Sequence, residues 1–267
     1  FIPLFIQKIQ DLNYTCTKEH KKYLMWCKER VIEYPVVLPE YINKKNKKIN
    51  PYVFIDELFK FLDKNDVVIT GNGSACVMTF QAAKIKQGQR LYTNSGSASM
   101  GYDLPASIGA AIAMKGKRII CLAGDGSLMM NLQELQTMQG YNLPIKVFIL
   151  NNDGYVSIKQ TQEAYFSDNI SGVGPKNGVT LPNFTKLGRA LGISSIKITK
   201  LSDLSSTNFL KMLNNNKSGI FEIVIDPNQG FSPKLTSRKL DDGTMVSPSL
   251  DDMSPFLGKD ELAKNIF

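Results

Sequence analysis

The chain has 267 residues, 43% of them hydrophobic and 21% charged, an ordinary globular composition that excludes a disordered or collagen-like chain. No stretch approaches the roughly 18 uninterrupted apolar residues of a membrane span, and the length suits one large domain or two small ones. The formal net charge of +8 is mostly lysine, much of it in one run (Lys44, Lys45, Lys47, Lys48) interleaved with Asn43, Asn46 and Asn50; such a run reads as a solvated linker, and no nucleic-acid partner is expected.

Residues 1–35 read as helical and amphipathic, with Phe5, Ile6, Ile9 and Leu12, then Tyr23, Leu24, Trp26 and Cys27, near helical spacing. The stretch 34–50 carries Pro35, Pro39 and the lysines and reads as a linker. Pro51 opens a helix, where its missing N–H costs little, and Phe54, Leu58 and Leu62 give that helix an apolar stripe. From there the pattern alternates. DVVIT at 66–70 is a short strand ended by Gly71-Asn72-Gly73-Ser74, and a helix follows to about Lys84. A strand at 90–93 leads through a Gly-rich turn at 94–101 into a small-residue helix at 105–114. RIICLA at 118–123 is a strand that stops at Gly124-Asp125-Gly126, followed by a helix at 127–139. IKVFIL at 145–150 is a strand that stops at Asn151-Asn152-Asp153-Gly154. A helix around 181–191 and runs at 194–198 and 220–225 complete the series. Beyond Pro227 the chain turns polar and reads as an extended tail with a short helix at 259–265.

Short apolar strands alternating with helices predict βαβ units. The expected fold is a three-layer α/β domain, with a mostly parallel central sheet and helices on both faces. It occupies 51–228, after a helix-and-linker segment at 1–50 and before a tail at 229–267. The chain starts at Phe1 with no signal-type region, so it reads as a piece of a longer protein. Its cysteines, Cys16, Cys27, Cys76 and Cys121, form no CxxC pair, and His20 is the one histidine. They read as free thiols in a reducing cytoplasm.

Two strand ends carry the chemistry. In an open parallel sheet a ligand sits outside the carboxyl ends of the strands. Gly124-Asp125-Gly126-Ser127 combines glycines, which let a backbone approach closely, with a helix start whose free N–H groups and dipole favour phosphate. An aspartate there repels a phosphate unless a cation lies between them. Mg²⁺ takes six oxygens and commonly shares them between protein and phosphates. Asp125 would give a carboxylate oxygen, Asn152 an amide oxygen, and the following turn a carbonyl, most simply that of Gly154. Each turn alone is an ordinary β-turn motif. Together they carry more, because the 24 residues between Gly126 and Asn151 read as one helix–strand crossover, which sets the turns side by side.

At these residues the sequence resembles the thiamine-diphosphate enzymes, whose signature opens with GDG and closes with NN; here it reads GDGSLMMNLQELQTMQGYNLPIKVFILNN. GNGSA at 71–75 resembles that family's first diphosphate turn, and SGSASMGYDLPASIGAAIA at 95–113 its ring-cradling segment. SPSLDDMSPFL in the tail is similar to the acetolactate-synthase-like members. The resemblance covers about 51–257, and it implies a cofactor, thiamine diphosphate with Mg²⁺, held by Asp125, Asn152 and the Gly154 carbonyl. Asn72, Ser74, Ala75, Gly124, Gly126, Ser127 and Tyr155 would lie at the cofactor. Met100 would be the apolar wedge under its bent form, and the Ala98 carbonyl an acceptor for its amino group.

The resemblance also implies a 2-keto acid substrate, decarboxylation or carboligation, and a homodimer or homotetramer. It places the activating glutamate in a separate N-terminal domain. No residue of these 267 is therefore expected to be catalytic, the piece alone should be inactive, and any FAD would belong to the part preceding Phe1. Where relatives that carry NNDGY continue with an apolar–Glu pair, this chain has Ser157-Ile158, and where acetolactate synthases place Met and Trp it has Ser157 and Thr161. Neither substrate preference transfers. Two rivals stand beside this reading. A Rossmann-like nucleotide binder lacks its GxGxxG and Walker signatures here. A non-catalytic module used for assembly has no need of paired metal oxygens.

Overall fold

The computed structural model describes residues 1–43, 48–166, 169–239 and 242–266; Lys44, Lys45, Asn46 and Lys47 of the lysine run fall outside them. The chain forms two compact units, Val36–Phe231 and a smaller one made of Phe1–Pro35 with Ser232–Phe267.

The smaller unit starts with α1 (Ile2–Asp11) and α2 (Lys18–Glu33). The expected helical stretch is two helices because Asn13 turns left-handed, at φ 50°. Thr17 then caps a fresh start by accepting the His20 N–H at 3.2 Å.

The larger unit opens with α3 (Pro39–Asn43) and α4 (Pro51–Phe61). Asn50 caps α4, its side-chain oxygen accepting the N–H of Tyr52 at 2.9 Å. The segment expected as linker joins this unit before Pro51: Ile49 donates to the Val224 carbonyl and accepts the Asp226 N–H. The series continues with β1 (Val67–Thr70), α5 (Gly73–Ala82), β2 (Arg90–Tyr92), α6 (Asp103–Ala113), β3 (Ile119–Gly124), α7 (Asp125–Leu128), α8 (Glu134–Gly140) and β4 (Ile145–Asn151). It closes with α9 (Val156–Tyr165), α10 (Phe184–Ala190), β5 (Ser194–Ile198), α11 (Thr207–Asn214) and β6 (Gly219–Val224).

The helix expected at 127–139 is broken into α7, a 3₁₀ turn at Met129–Asn131 and α8, where Asn131 Nδ2 turns to donate to the Gly101 carbonyl at 2.8 Å. Helices α9 and α11 were not foreseen. In α11, Ser206 accepts the Phe209 N–H as a cap, and Phe209, Met212 and Leu213 are buried. Back in the smaller unit, β7 (Arg238–Lys239) pairs antiparallel with β8 (Met245–Val246), and α12 (Lys259–Lys264) follows. Tyr34 Oη donates to Glu261 at 2.8 Å and accepts from Asn265.

The six strands of the larger unit are all parallel, in the order β2-β1-β3-β4-β6-β5. One face packs Val68, Ile120, Leu122, Phe148, Phe221 and Ile223 against α4, α5 and α11. The other packs Val67, Cys121, Val147, Ile149 and Ile220 against α6, α8 and α10. The fold is thus the expected three-layer α/β domain, and coverage on both faces explains why its central strands are apolar throughout rather than alternating.

Phe148 anchors the first core. Its ring stacks on Phe221 with centroids 4.6 Å apart and tilts against Phe54 and Phe209. Phe148→Ala is expected to lower unfolding free energy by about 3–5 kcal/mol, the range for a fully buried aromatic, as measured by chemical denaturation.

Candidate functional site

The chain runs from β1 outward to β2 and then returns past β1 to β3. The strand order therefore reverses between β1 and β3, and a crevice opens at their carboxyl ends. The turn 71–74 leaves β1 on one side of it and the turn 124–127 leaves β3 on the other. Gly124 lies in register with Leu150, so the turn 151–154 after β4 stands beside them. The cleft is lined by Asn72, Gly73, Ser74, Met100, Gly124, Asp125, Gly126, Ser127, Leu150, Asn152, Gly154, Tyr155, Val156, Ser157 and Ile158. Ten of the twelve residues singled out from sequence line it.

Asp125 ties two of the turns together. It is 1% exposed. Oδ2 accepts the backbone N–H of Asn152 (3.0 Å), Asp153 (2.8 Å) and Gly154 (3.1 Å), while Oδ1 accepts that of Gly126 at 2.7 Å. Burial pushes its carboxyl up to about 6, against the pull of these four N–H groups. Beside it, Asn152 Oδ1 is buried with no hydrogen-bond partner, an acceptor that ordinarily demands one. A divalent cation between the Asp125 carboxylate and the Asn152 amide oxygen would supply it. Among the described residues no three His, Cys, Asp or Glu side chains cluster around a metal position. One carboxylate, one amide and one carbonyl make the sparse donor set that Mg²⁺ accepts when phosphate oxygens complete its shell.

The turn after β1 presents the start of α5. Gly73 there is left-handed, at φ 51°, and Asn72 Nδ2 donates to the Ala98 carbonyl at 3.0 Å. Two sequence-derived residues do not line the cleft. Ala75 is fully buried in the core, so only its main chain is available to a ligand. Ala98 lies beside Asn72 through that carbonyl. Met100, which core packing alone would bury, keeps 39% of its surface exposed at the cleft. Gly126 has a steric reason to be glycine: a Cβ there would stand 2.3 Å from the Tyr155 ring.

Sequence reasoning missed Asp103, which is fully buried at the first position of α6. Its Oδ2 accepts the Ser127 hydroxyl at 2.9 Å, and that hydroxyl in turn accepts the Gly101 N–H at 2.9 Å. A Cβ on Gly71 would lie 2.2 Å from Asp103 Oδ2. One carboxylate thus abuts the turn after β1, the turn before α6 and the turn after β3. The available signal was an acid opening an otherwise small and apolar helix.

A family model described as "Thiamine pyrophosphate enzyme, C-terminal TPP binding domain" matches residues 71–223. The chain belongs to this family. The match spans all three turns of the cleft. The chain is 37% identical over 174 residues to the acetolactate synthase large subunit of Cyanidium caldarium, covering 65% of this chain and 28% of that protein. It is 31% identical over 201 residues to that of Pyropia yezoensis, covering 75% and 33%, and 30% identical over 210 residues to that of Buchnera aphidicola, covering 78% and 35%. The chain therefore spans about a third of the length of these curated relatives. Residues 71–223 are thus a thiamine-pyrophosphate-binding domain of that family's C-terminal kind, in a chain similar to acetolactate synthase large subunits.

Burial also lifts the Asp103 carboxyl, from 3.8 to about 6. A carboxyl whose pKa is raised by folding stabilises the fold fully below its unfolded value and loses that contribution as pH rises through the folded one. Relative to wild type, Asp103→Asn should therefore gain unfolding free energy between about pH 4 and pH 7, on the order of 2 kcal/mol. Denaturant titrations of both proteins across that range check it, and parallel pH profiles would contradict it.

Proposed function

We propose that this domain binds thiamine diphosphate through a divalent cation, Mg²⁺ by its chemistry, held by Asp125, Asn152 and the Gly154 carbonyl, and that it forms the diphosphate half of a 2-keto acid decarboxylase or carboligase. The observation that carries the reading is the partnerless buried Asn152 Oδ1 beside the Asp125 carboxylate. When bound, thiamine diphosphate supplies a carbon nucleophile for a keto group and a ring that takes up the electrons released on decarboxylation. The protein's own residues do the rest. Main-chain groups of Asn72, Ser74, Ala75, Gly126 and Ser127 bind the diphosphate at the helix starts. Met100 shapes the space where the rings would bend, and Tyr155 closes over Gly126. Ser157 and Ile158 at the mouth border the substrate.

The proton-moving glutamate of such an enzyme belongs to another domain, and the parent protein is read as a homodimer or homotetramer in which two domain types meet over the cofactor. The free thiols of Cys16, Cys27, Cys76 and Cys121 fit a reducing compartment such as the cytoplasm. Among the described residues no helix is long and apolar enough to cross a membrane.

Calorimetry on the intact protein tests the metal reading. Thiamine diphosphate should bind with Mg²⁺ present and fail to bind once a chelator removes it; equal affinity in both conditions would sink the assignment. Asp125→Ala and Asn152→Ala should each weaken binding by at least the ~10–100-fold typical of losing even an outer partner of a metal. The 267 residues alone should release no CO₂ from pyruvate with saturating cofactor and Mg²⁺, because an acid–base group acts only within hydrogen-bond reach and none of their carboxylates is assigned that role. Turnover by the purified domain would overturn the half-site reading.

A further inference from the structure

Asn151 opens the Asn151-Asn152-Asp153-Gly154 turn, yet it neither lines the cleft nor has a place in the proposed metal set. Its side chain is engaged on the sheet instead. Nδ2 donates to Glu222 Oε1 at 2.9 Å, and Oδ1 accepts the Asp153 N–H at 3.1 Å. Glu222 sits inside β6, in register with Ile149 of β4 on one side and Lys197 of β5 on the other. It is 1% exposed. Lys197 Nζ reaches the same Oε1 at 2.7 Å from a side chain that is 44% exposed. A carboxylate buried this deeply is costly unless it is paired and hydrogen-bonded, and Oε2 has no partner. Its position is explained by what Oε1 holds.

Asp153 is the strained point of the turn, a non-glycine residue at φ 68°. Its N–H lies between two acceptors, Asn151 Oδ1 at 3.1 Å and Asp125 Oδ2 at 2.8 Å. One acceptor comes from the metal side of the turn and the other from the sheet side. We infer that Lys197, Glu222 and Asn151 form a positioning chain that holds the left-handed Asp153, and through it the direction of Asn152 Oδ1, so that a lysine two strands away sets the affinity of the site for its divalent cation. This rests on the metal reading proposed above. None of the three residues lines the cleft or belongs to the proposed metal set.

The test is a Mg²⁺ titration of the intact protein at fixed thiamine diphosphate, with cofactor binding followed by calorimetry and the unfolding midpoint of each metal-free variant measured alongside. Glu222→Ala and Asn151→Ala should raise the Mg²⁺ concentration for half-saturation about 10-fold or more, as loss of an outer partner does. Glu222→Gln keeps an acceptor for both donors and should stay within about 3-fold of wild type. Lys197→Met alters a half-exposed side chain, serves where Glu222→Ala fails to fold, and should shift half-saturation in the same direction. A merely structural role would lower the unfolding midpoints while folded Asn151→Ala and Lys197→Met still half-saturate at the wild-type Mg²⁺ concentration, and that result overturns the inference. A wild-type protein that binds no cofactor at any Mg²⁺ concentration overturns the functional reading itself, and this inference with it.

Discussion

The site is organised around the Asp125 carboxylate, which receives N–H groups from two separate turns. A charged acceptor makes stronger hydrogen bonds than a neutral one, and here four of them converge where water is excluded. The turn after β3 and the turn after β4 are thereby fixed to each other. The opposing cost is burial, which lifts the carboxyl to about 6. A cation beside the carboxylate would relieve that cost.

The sheet makes this convergence available. Three turns meet because β1, β3 and β4 are adjacent and parallel, with their carboxyl ends in register. The reversal of strand order between β1 and β3 keeps the crevice free of a crossing connection. Asp103 adds a second tie, through the Ser127 hydroxyl that accepts the Gly101 N–H, to the turn before α6. It reaches the turn after β3 through the Ser127 hydroxyl and stands against Gly71. Two buried carboxylates, both raised by desolvation, brace the turns of the cleft. Binding sites assembled from turns on a rigid sheet commonly need such internal ties, because the turns themselves have little apolar surface to bury.

The order of elements and the all-parallel sheet were legible because strands covered on both faces are short continuous apolar runs, and DVVIT, RIICLA and IKVFIL are such runs. The turns of the cleft were legible because glycine and asparagine cluster directly after those strands. Helix α9 was hidden by its polar face, since VSIKQTQEAY buries only Val156 and so carries little periodicity. The break within 127–139 was hidden because its cause, the Asn131 bond to Gly101, joins residues 30 positions apart.

By itself the sequence determined the residue types at the strand ends: one carboxylate, one amide and helix starts preceded by glycine, at a spacing of one helix–strand crossover. Those are properties of residue type and local backbone, which a single chain displays. Only the tertiary structure decided the alignment of that set. That Asp125 Oδ2 is shared by three successive N–H groups, that Asn152 Oδ1 is left without a partner, that Tyr155 covers Gly126 and that Glu222 reaches Asn151 from another strand all depend on distances between segments far apart in sequence. Side-chain chemistry is local, whereas desolvation and hydrogen-bond partnership are set by whatever the fold brings alongside.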